Sequence, residues 1–223
     1  YGYATLSGST LNKLANACGA RKVVEMGAGT GYLAHLLEER GVKITAYDAI
    51  PDSRNEYHAA TPPFFRVLAG AADNPKLYSN ADVLLLCYPP TDNDMAEQAL
   101  THFHGDDIVH IGEFCGLTGT RRFEQLLLSN FNCTHRWPVL HWGTDAAAAT
   151  LWERKKPTET TRSLRIPCSW CSMRESSRRC KPLRNLSYCC ADCCKADASV
   201  RRPLLMTDVD FDNDEHFERI KFG

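Results

Sequence analysis

One short run constrains this chain more than any other: Val23-Val24-Glu25-Met26-Gly27-Ala28-Gly29-Thr30-Gly31-Tyr32. Lys22–Met26 is a short apolar run of buried-strand type that passes directly into three glycines at alternate positions. Leu33, Leu36 and Leu37 then follow at helical spacing, and the segment Gly31–Arg40 stops at Gly41, a natural helix end. A strand, a glycine loop and a helix in that order bring backbone N–H groups to a ligand at the strand's carboxyl end. Glycines without Cβ let the ligand approach closely. Spacing narrows the ligand. The dinucleotide fingerprint G-x-G-x-x-G requires glycine at position 32, and Tyr32 stands there.

The rest of the first 154 residues repeats the alternation. Lys43–Asp48, Phe64–Leu68, Ala81–Cys87 and Asp107–Gly112 read as strands, and Val83-Leu84-Leu85-Leu86 makes Ala81–Cys87 continuous enough to be buried on both faces. Ala49–Pro63 is a polar, proline-punctuated loop. Met95, Ala99, Leu100 and Phe103 mark one helix face, and Phe123, Leu126 and Leu127 mark another within Thr120–Asn130. Asn132–Leu140 and Ala146–Arg154 close the series as two strands around a turn. The expectation is an α/β domain over 1–154 with a doubly wound, mostly parallel seven-stranded sheet. After Arg154 the pattern stops. Residues 155–165 read as a linker, 166–203 as a small cysteine-rich module and 204–223 as an acidic tail.

With its spacing E-x-G-x-G-x-G, the glycine loop resembles motif I of class I S-adenosylmethionine (SAM) dependent methyltransferases. That likeness implies cofactor contacts by Glu25, Gly27, Gly29 and Gly31. It also implies that Asp48, at the end of the second strand, accepts the two ribose hydroxyls. The whole segment from Tyr1 to Arg154 is similar to methyltransferase-like proteins that open Tyr-rich, here Tyr1-Gly2-Tyr3-Ala4, and carry Leu-Cys-aromatic-Pro-Pro after strand four. Fold and cofactor follow from the resemblance; a substrate does not.

Cys87-Tyr88-Pro89-Pro90-Thr91 stands where such enzymes hold substrate beside the methyl group. It is similar to the [Asn/Asp/Ser]-Pro-Pro-[aromatic] motif of amino-methyltransferases, which implies catalytic roles for Tyr88, Pro89 and Pro90. In that motif a polar side chain and the carbonyl before the second proline receive the target amine, and paired prolines fix the loop. Two positions depart from it: Tyr88 replaces the polar residue and Thr91 the aromatic. A third departure follows strand three, where Gly70-Ala71-Ala72-Asp73 lacks, or displaces by two positions, the acid that would bind the adenine amino group. His141 and Trp142, in the turn of the last strand pair, are the remaining residues to watch for substrate contact, while His110 falls within a buried strand and reads as structural.

Charge and cysteine divide the chain in the same place. Residues 1–153 hold 11 Lys+Arg against 17 Asp+Glu, residues 154–203 hold 13 against 4, and residues 204–223 hold 2 against 6. A near-neutral total thus hides a basic module between acidic stretches. Of the eleven cysteines, Cys18, Cys87, Cys115 and Cys133 are scattered, and seven crowd into 168–194. Scattered thiols fit a reducing compartment such as cytosol, nucleus or mitochondrial matrix, where a cysteine cluster reads as metal ligation. The stretch Cys168-Ser169-Trp170-Cys171 followed by Tyr188-Cys189-Cys190-Ala191-Asp192-Cys193 resembles a MYND-type zinc finger. By that likeness Cys168, Cys171, Cys189 and Cys193 hold one zinc, with Cys190 and Cys194 able to substitute. Around them lie Arg162, Arg165, Arg174, Arg178, Arg179, Lys181 and Arg184, a density suited to RNA or a ribonucleoprotein. MYND fingers usually hold peptides, so a protein partner through this module stays open. No apolar run approaches membrane-spanning length, so no membrane partner is expected. Two functions remain: a methyltransferase acting on RNA or a ribonucleoprotein-associated substrate, or a methyltransferase-like fold kept as an inactive architectural subunit of an RNA–protein assembly.

Overall fold

The computed structural model describes residues 4–51, 54–55, 61–114, 116–139 and 147–156. Its elements run α1 (Gly8–Cys18), β1 (Lys22–Met26), α2 (Tyr32–Glu38), β2 (Lys43–Asp48) and β3 (Val67–Ala69), then a 3-10 turn at Pro75–Tyr78. They continue β4 (Val83–Cys87), α3 (Met95–His102), β5 (Asp107–Gly112), α4 (Arg121–Asn130), β6 (Phe131–Pro138) and β7 (Ala148–Arg154). The seven strands form one sheet ordered β3-β2-β1-β4-β5-β7-β6. β1 to β5 pair in parallel, and β7 inserts antiparallel between β5 and β6. This mixed, doubly wound sheet is the arrangement that the class I methyltransferase resemblance implies.

Period-two alternation builds a core on each face. In β4, Val83 and Leu85 pack with Leu11, Leu14, Leu33 and Leu37 of the α1 and α2 side. Their neighbours Leu84 and Leu86 pack with Ala99, Phe103, Phe123 and Leu127 of the α3 and α4 side. All four are essentially unexposed, and each contributes roughly 1.5–3 kcal/mol of burial. Trp152 of β7 is also fully buried, and its indole N–H donates to Thr150 Oγ1 (2.9 Å), so the polar end is satisfied. Arg154 closes the sheet: its guanidinium donates to the carbonyls of Gly105 and Phe103 and lies 4.5 Å from the Phe131 ring.

Strands β4, β6 and β7 shift by one or two residues at a bound, and two elements differ further from expectation. Helix α1 was not legible as a periodic segment, yet Ser7 caps it by accepting from Thr10 N–H (3.1 Å), and Leu11, Leu14 and Cys18 bury its inner face. The third strand begins at Val67 rather than at Phe64, because Phe64 N–H donates to the Thr30 carbonyl (2.9 Å) and is held by the glycine loop instead of by β2.

The chain reverses direction across the sheet between β1 and β4, leading first to β2 and β3 and then back to β4 and β5. A crevice opens at such a switch point, beyond the carboxyl ends of the strands.

Candidate functional site

That crevice is a cavity of about 810 Å³. Its walls are the segments that follow four adjacent strands: Glu25–Thr30 after β1, Asp48–Ile50 after β2, Gly70–Ala72 after β3 and Cys87–Met95 after β4. Ala4 and Leu6 reach it from the chain start, and Leu117 and Thr118 from the segment after β5.

The glycine loop forms the cavity's floor. Gly27, Gly29 and Gly31 all take positive φ (73°, 57° and 71°), a conformation that strains other residues. At Gly31 there is no room besides: a Cβ would lie 2.6 Å from Phe65 Cβ and 2.9 Å from Val67 Cγ2. Turned this way, Gly29 N–H donates to Asp48 Oδ2 (2.9 Å), while Ile50 N–H donates to Oδ1 (2.9 Å). Asp48 is 9% exposed and is thereby fixed at the cavity wall, with lone-pair capacity left on Oδ2. The structure therefore brings Glu25, Gly27, Gly29 and Asp48 to one cavity, with Gly31 capping the helix that leads away from it.

Glu25 is the unusual member. It is 2% exposed and lines the cavity; Ala34 N–H, in the first turn of α2, donates to its carboxylate, and Oε2 has no hydrogen-bond partner among the described residues. Burial first, and the neighbouring Asp48 charge after it, push its carboxyl up from 4.5 to about 8. A buried, underpaired acid facing a cavity suits a cationic group.

Just past β4, Tyr88 is the one non-glycine with positive φ (49°) among the described residues. Its backbone N–H donates to Ile111 O (2.7 Å), which holds the twist. Burial, with Glu113 and Cys87 nearby, raises the phenol's pKa, so it stays protonated at neutral pH. The Pro89 carbonyl, the one expected to be free for an incoming amine, accepts Gly119 N–H at 2.7 Å. Asp73, the displaced acid after β3, is exposed and does not line the cavity, where Gly70, Ala71 and Ala72 stand instead.

His110 is fully buried between Phe114 and Phe123, and burial lowers its pKa to about 4, in line with a structural role. Thr118, which sequence reasoning did not single out, organises the segment after β5: its Oγ1 accepts Glu113 N–H (2.9 Å) and donates to Glu113 O (3.1 Å). No periodicity signals such a hydroxyl. His141, Trp142, Cys168, Cys171, Cys189 and Cys193 lie outside the described residues. Among the described residues no cluster of His, Cys, Asp and Glu forms a metal site, and no helix is long and apolar enough to cross a membrane.

No protein-family model matches the chain. An uncharacterized methyltransferase of Mycobacterium bovis and two of Mycobacterium tuberculosis strains are each 37% identical to it over 67 residues. That segment covers 30% of this chain and 28% of each relative, so the match spans less than a third of the curated relatives' length. Among solved structures, M. capricolum TrmK with S-adenosyl-homocysteine is similar at TM-score 0.48 and 13% identity, covering 74% of this chain and 75% of that one. The N-methyltransferase NodS of Bradyrhizobium japonicum with S-adenosyl-L-homocysteine follows at TM-score 0.45 and 15% identity, covering 66% of this chain and 85% of that one. A TehB-like SAM-dependent methyltransferase of Corynebacterium glutamicum gives 0.45 and 15%, covering 65% and 87%.

Proposed function

We propose that this protein binds S-adenosylmethionine in the cavity beyond β1–β4 and transfers its methyl group to an acceptor carried by RNA or a ribonucleoprotein. The observation that carries the reading is the pair of acids on the glycine-loop floor. Asp48 is oriented by two backbone N–H groups and retains acceptor capacity for ribose hydroxyls, and Glu25 adds to the same lining a buried carboxyl whose Oε2 has no hydrogen-bond partner among the described residues. The cavity is large enough for the cofactor with space to spare for an acceptor. The fit is also electrostatic, because both carboxylates suit a ligand with net positive charge.

When bound, SAM supplies an electrophilic methyl carbon on a sulfonium. The chain's own part is positioning: the glycine floor and Asp48 hold one end, and Tyr88 with the fixed Pro89-Pro90 loop limits where an acceptor can stand. The basic stretch 154–203 is the docking element in this proposal, with one zinc on Cys168, Cys171, Cys189 and Cys193 supported by thiolate spacing alone.

Calorimetry with SAM tests the reading. Gly29→Val should abolish binding, since a branched side chain at positive φ both strains the loop and enters the ligand's space. Asp48→Ala should weaken it by about 1–3 kcal/mol through lost charge-assisted bonds. Unchanged affinity in both variants would refute the site. The second reading, an inactive architectural subunit, is favoured by the absence of Asp73 from the cavity. Under it SAM does not bind the unaltered protein.

A further inference from the structure

One edge of the sheet is only half covered. β3 pairs with Ala46, Tyr47 and Asp48 of β2, and its register stops there. Lys43, Ile44 and Thr45, the first half of β2, have no strand beyond them among the described residues. Along an extended strand successive carbonyls turn to opposite sides. The Asp48 carbonyl accepts Gly70 N–H on the β3 side (2.9 Å), and the Tyr47 carbonyl accepts Ala28 N–H on the β1 side (3.0 Å). By that alternation Ile44 turns its N–H and C=O toward the open edge. Such an edge is a template for a further extended segment.

We propose that this edge is the docking site of the chain's own acidic tail, with residues 208–212 adding a strand beside Lys43–Thr45. The two faces of the edge differ in the way that this segment requires. A cavity of about 610 Å³ runs along it. By period two, Lys22, Lys43 and Thr45 share the face of Val24 and Tyr47, which pack on the α3 and α4 side. Lys76 comes to that same face on the 3-10 turn, whose Leu77 packs on the same core. All three lysines are exposed, line the cavity and form no ion pair among the described residues. Glu38 is the one acid among the described residues lining it. Asp82 accepts Lys22 N–H (2.8 Å) from the β4 side of β1, away from the edge. On the opposite face, the half-buried Ile44 packs with Val42 and Leu37 of the α2 side.

The tail matches both faces. Asp208, Asp210 and Asp212 alternate with Val209 and Phe211. In an extended strand the three acids fall on one side and the two apolar residues on the other. Laid against β2, the acids meet Lys22, Lys43 and Lys76, while Val209 and Phe211 cover Ile44. The basic stretch 154–203 offers the tail more charge, but charge alone makes no use of the alternation. An open strand edge with one cationic and one apolar face uses all of it. The approach is direct, because β7 runs antiparallel to β5 and so ends at the pole where β2 begins. A tail held on the domain also leaves the basic stretch uncovered for the docking role proposed above.

The test uses the full chain at low micromolar concentration. A water-soluble carbodiimide joins a lysine amine to a carboxylate that touches it, and mass spectrometry of the monomer band reads the pairs. Links from Lys43 or Lys76 to Asp208, Asp210 or Asp212 are expected. Hydrogen exchange on the same protein should show the Ile44 N–H slowed about ten-fold relative to a variant with Asp208→Asn, Asp210→Asn and Asp212→Asn. Those three positions lie in the tail, so the variant leaves the sheet intact. Lys43→Gln with Lys76→Gln should release most of the same protection, about three- to ten-fold, with the urea midpoint unchanged. Links from the tail only to Lys181 or Lys195 place it on the basic stretch and overturn the proposal. Links confined to a dimer band assign the edge to a second copy's tail and overturn it as well. No links at all, or an Ile44 N–H indifferent to the three aspartates, has the same consequence.

Discussion

Glu25 carries a pH signature that the ligand-free protein should display. Its carboxyl titrates at about 8 in the folded chain against 4.5 in the unfolded one, because burial penalises the charged form. Between those values the folded state keeps a proton that the unfolded state has lost, so stability falls as pH rises. The penalty is absent below 4.5 and reaches its full size above 8. From pH 5.5 to 7.5 the slope is nearly one proton, and integrating it gives a loss of about 2.5 kcal/mol from this one group. Glu25→Gln removes the titration and keeps the shape. Urea unfolding of both proteins at the two pH values isolates the effect, since every other group titrates alike in each and cancels. The difference in stability between variant and parent should move in the variant's favour by about 2.5 kcal/mol on going from pH 5.5 to 7.5. A change under about 0.5 kcal/mol would mean that the carboxylate is ionised in the folded chain, and the case for an underpaired acid in the cavity would collapse.

The same group predicts the pH dependence of SAM binding. An ammonium beside Glu25 favours its ionised form, so binding below pH 8 releases a proton and affinity rises with pH, by up to about ten-fold per unit. Calorimetry in two buffers of different ionisation enthalpy should count close to one proton released at pH 7, and a count of zero refutes the contact. In the C-terminal stretch, elemental analysis should return about one zinc per chain, and Cys168→Ser should release it while SAM affinity holds. A metal-free protein with native disulfides would end the zinc proposal.

Much of the sheet was legible because its determinants are local. β1, β2 and β5 occur at the residues expected, since each is a short apolar or alternating run bounded by glycine or by charge. The strand start that moved, from Phe64 to Val67, was decided by a bond from Phe64 N–H to a carbonyl more than thirty residues earlier, which no window of sequence contains. Helix α1 escaped notice for a different reason. Leu11, Leu14, Ala15 and Cys18 do make a face, but Gly8, Ser9, Thr10 and two asparagines dilute it, and the helix exists because that face covers β1 and β4. The site divides along the same line. Glycine spacing and the acid at the end of β2 are local signals, and Gly27, Gly29 and Asp48 converge on the cavity. What sequence could not supply is occupancy of hydrogen-bonding groups. Paired prolines free carbonyls in principle, yet Gly119 takes the Pro89 carbonyl from thirty residues away, while Glu25, unremarkable in a motif, is left with an oxygen that nothing in the described fold satisfies. The first uses one of that carbonyl's two lone pairs, and the second is a buried acid in the cavity lining that costs stability. Glutamine at position 25 would keep an acceptor for Ala34 N–H and relieve that penalty. Under the proposed function, a cation bound beside Glu25 would offset the cost that the acid imposes on the empty fold.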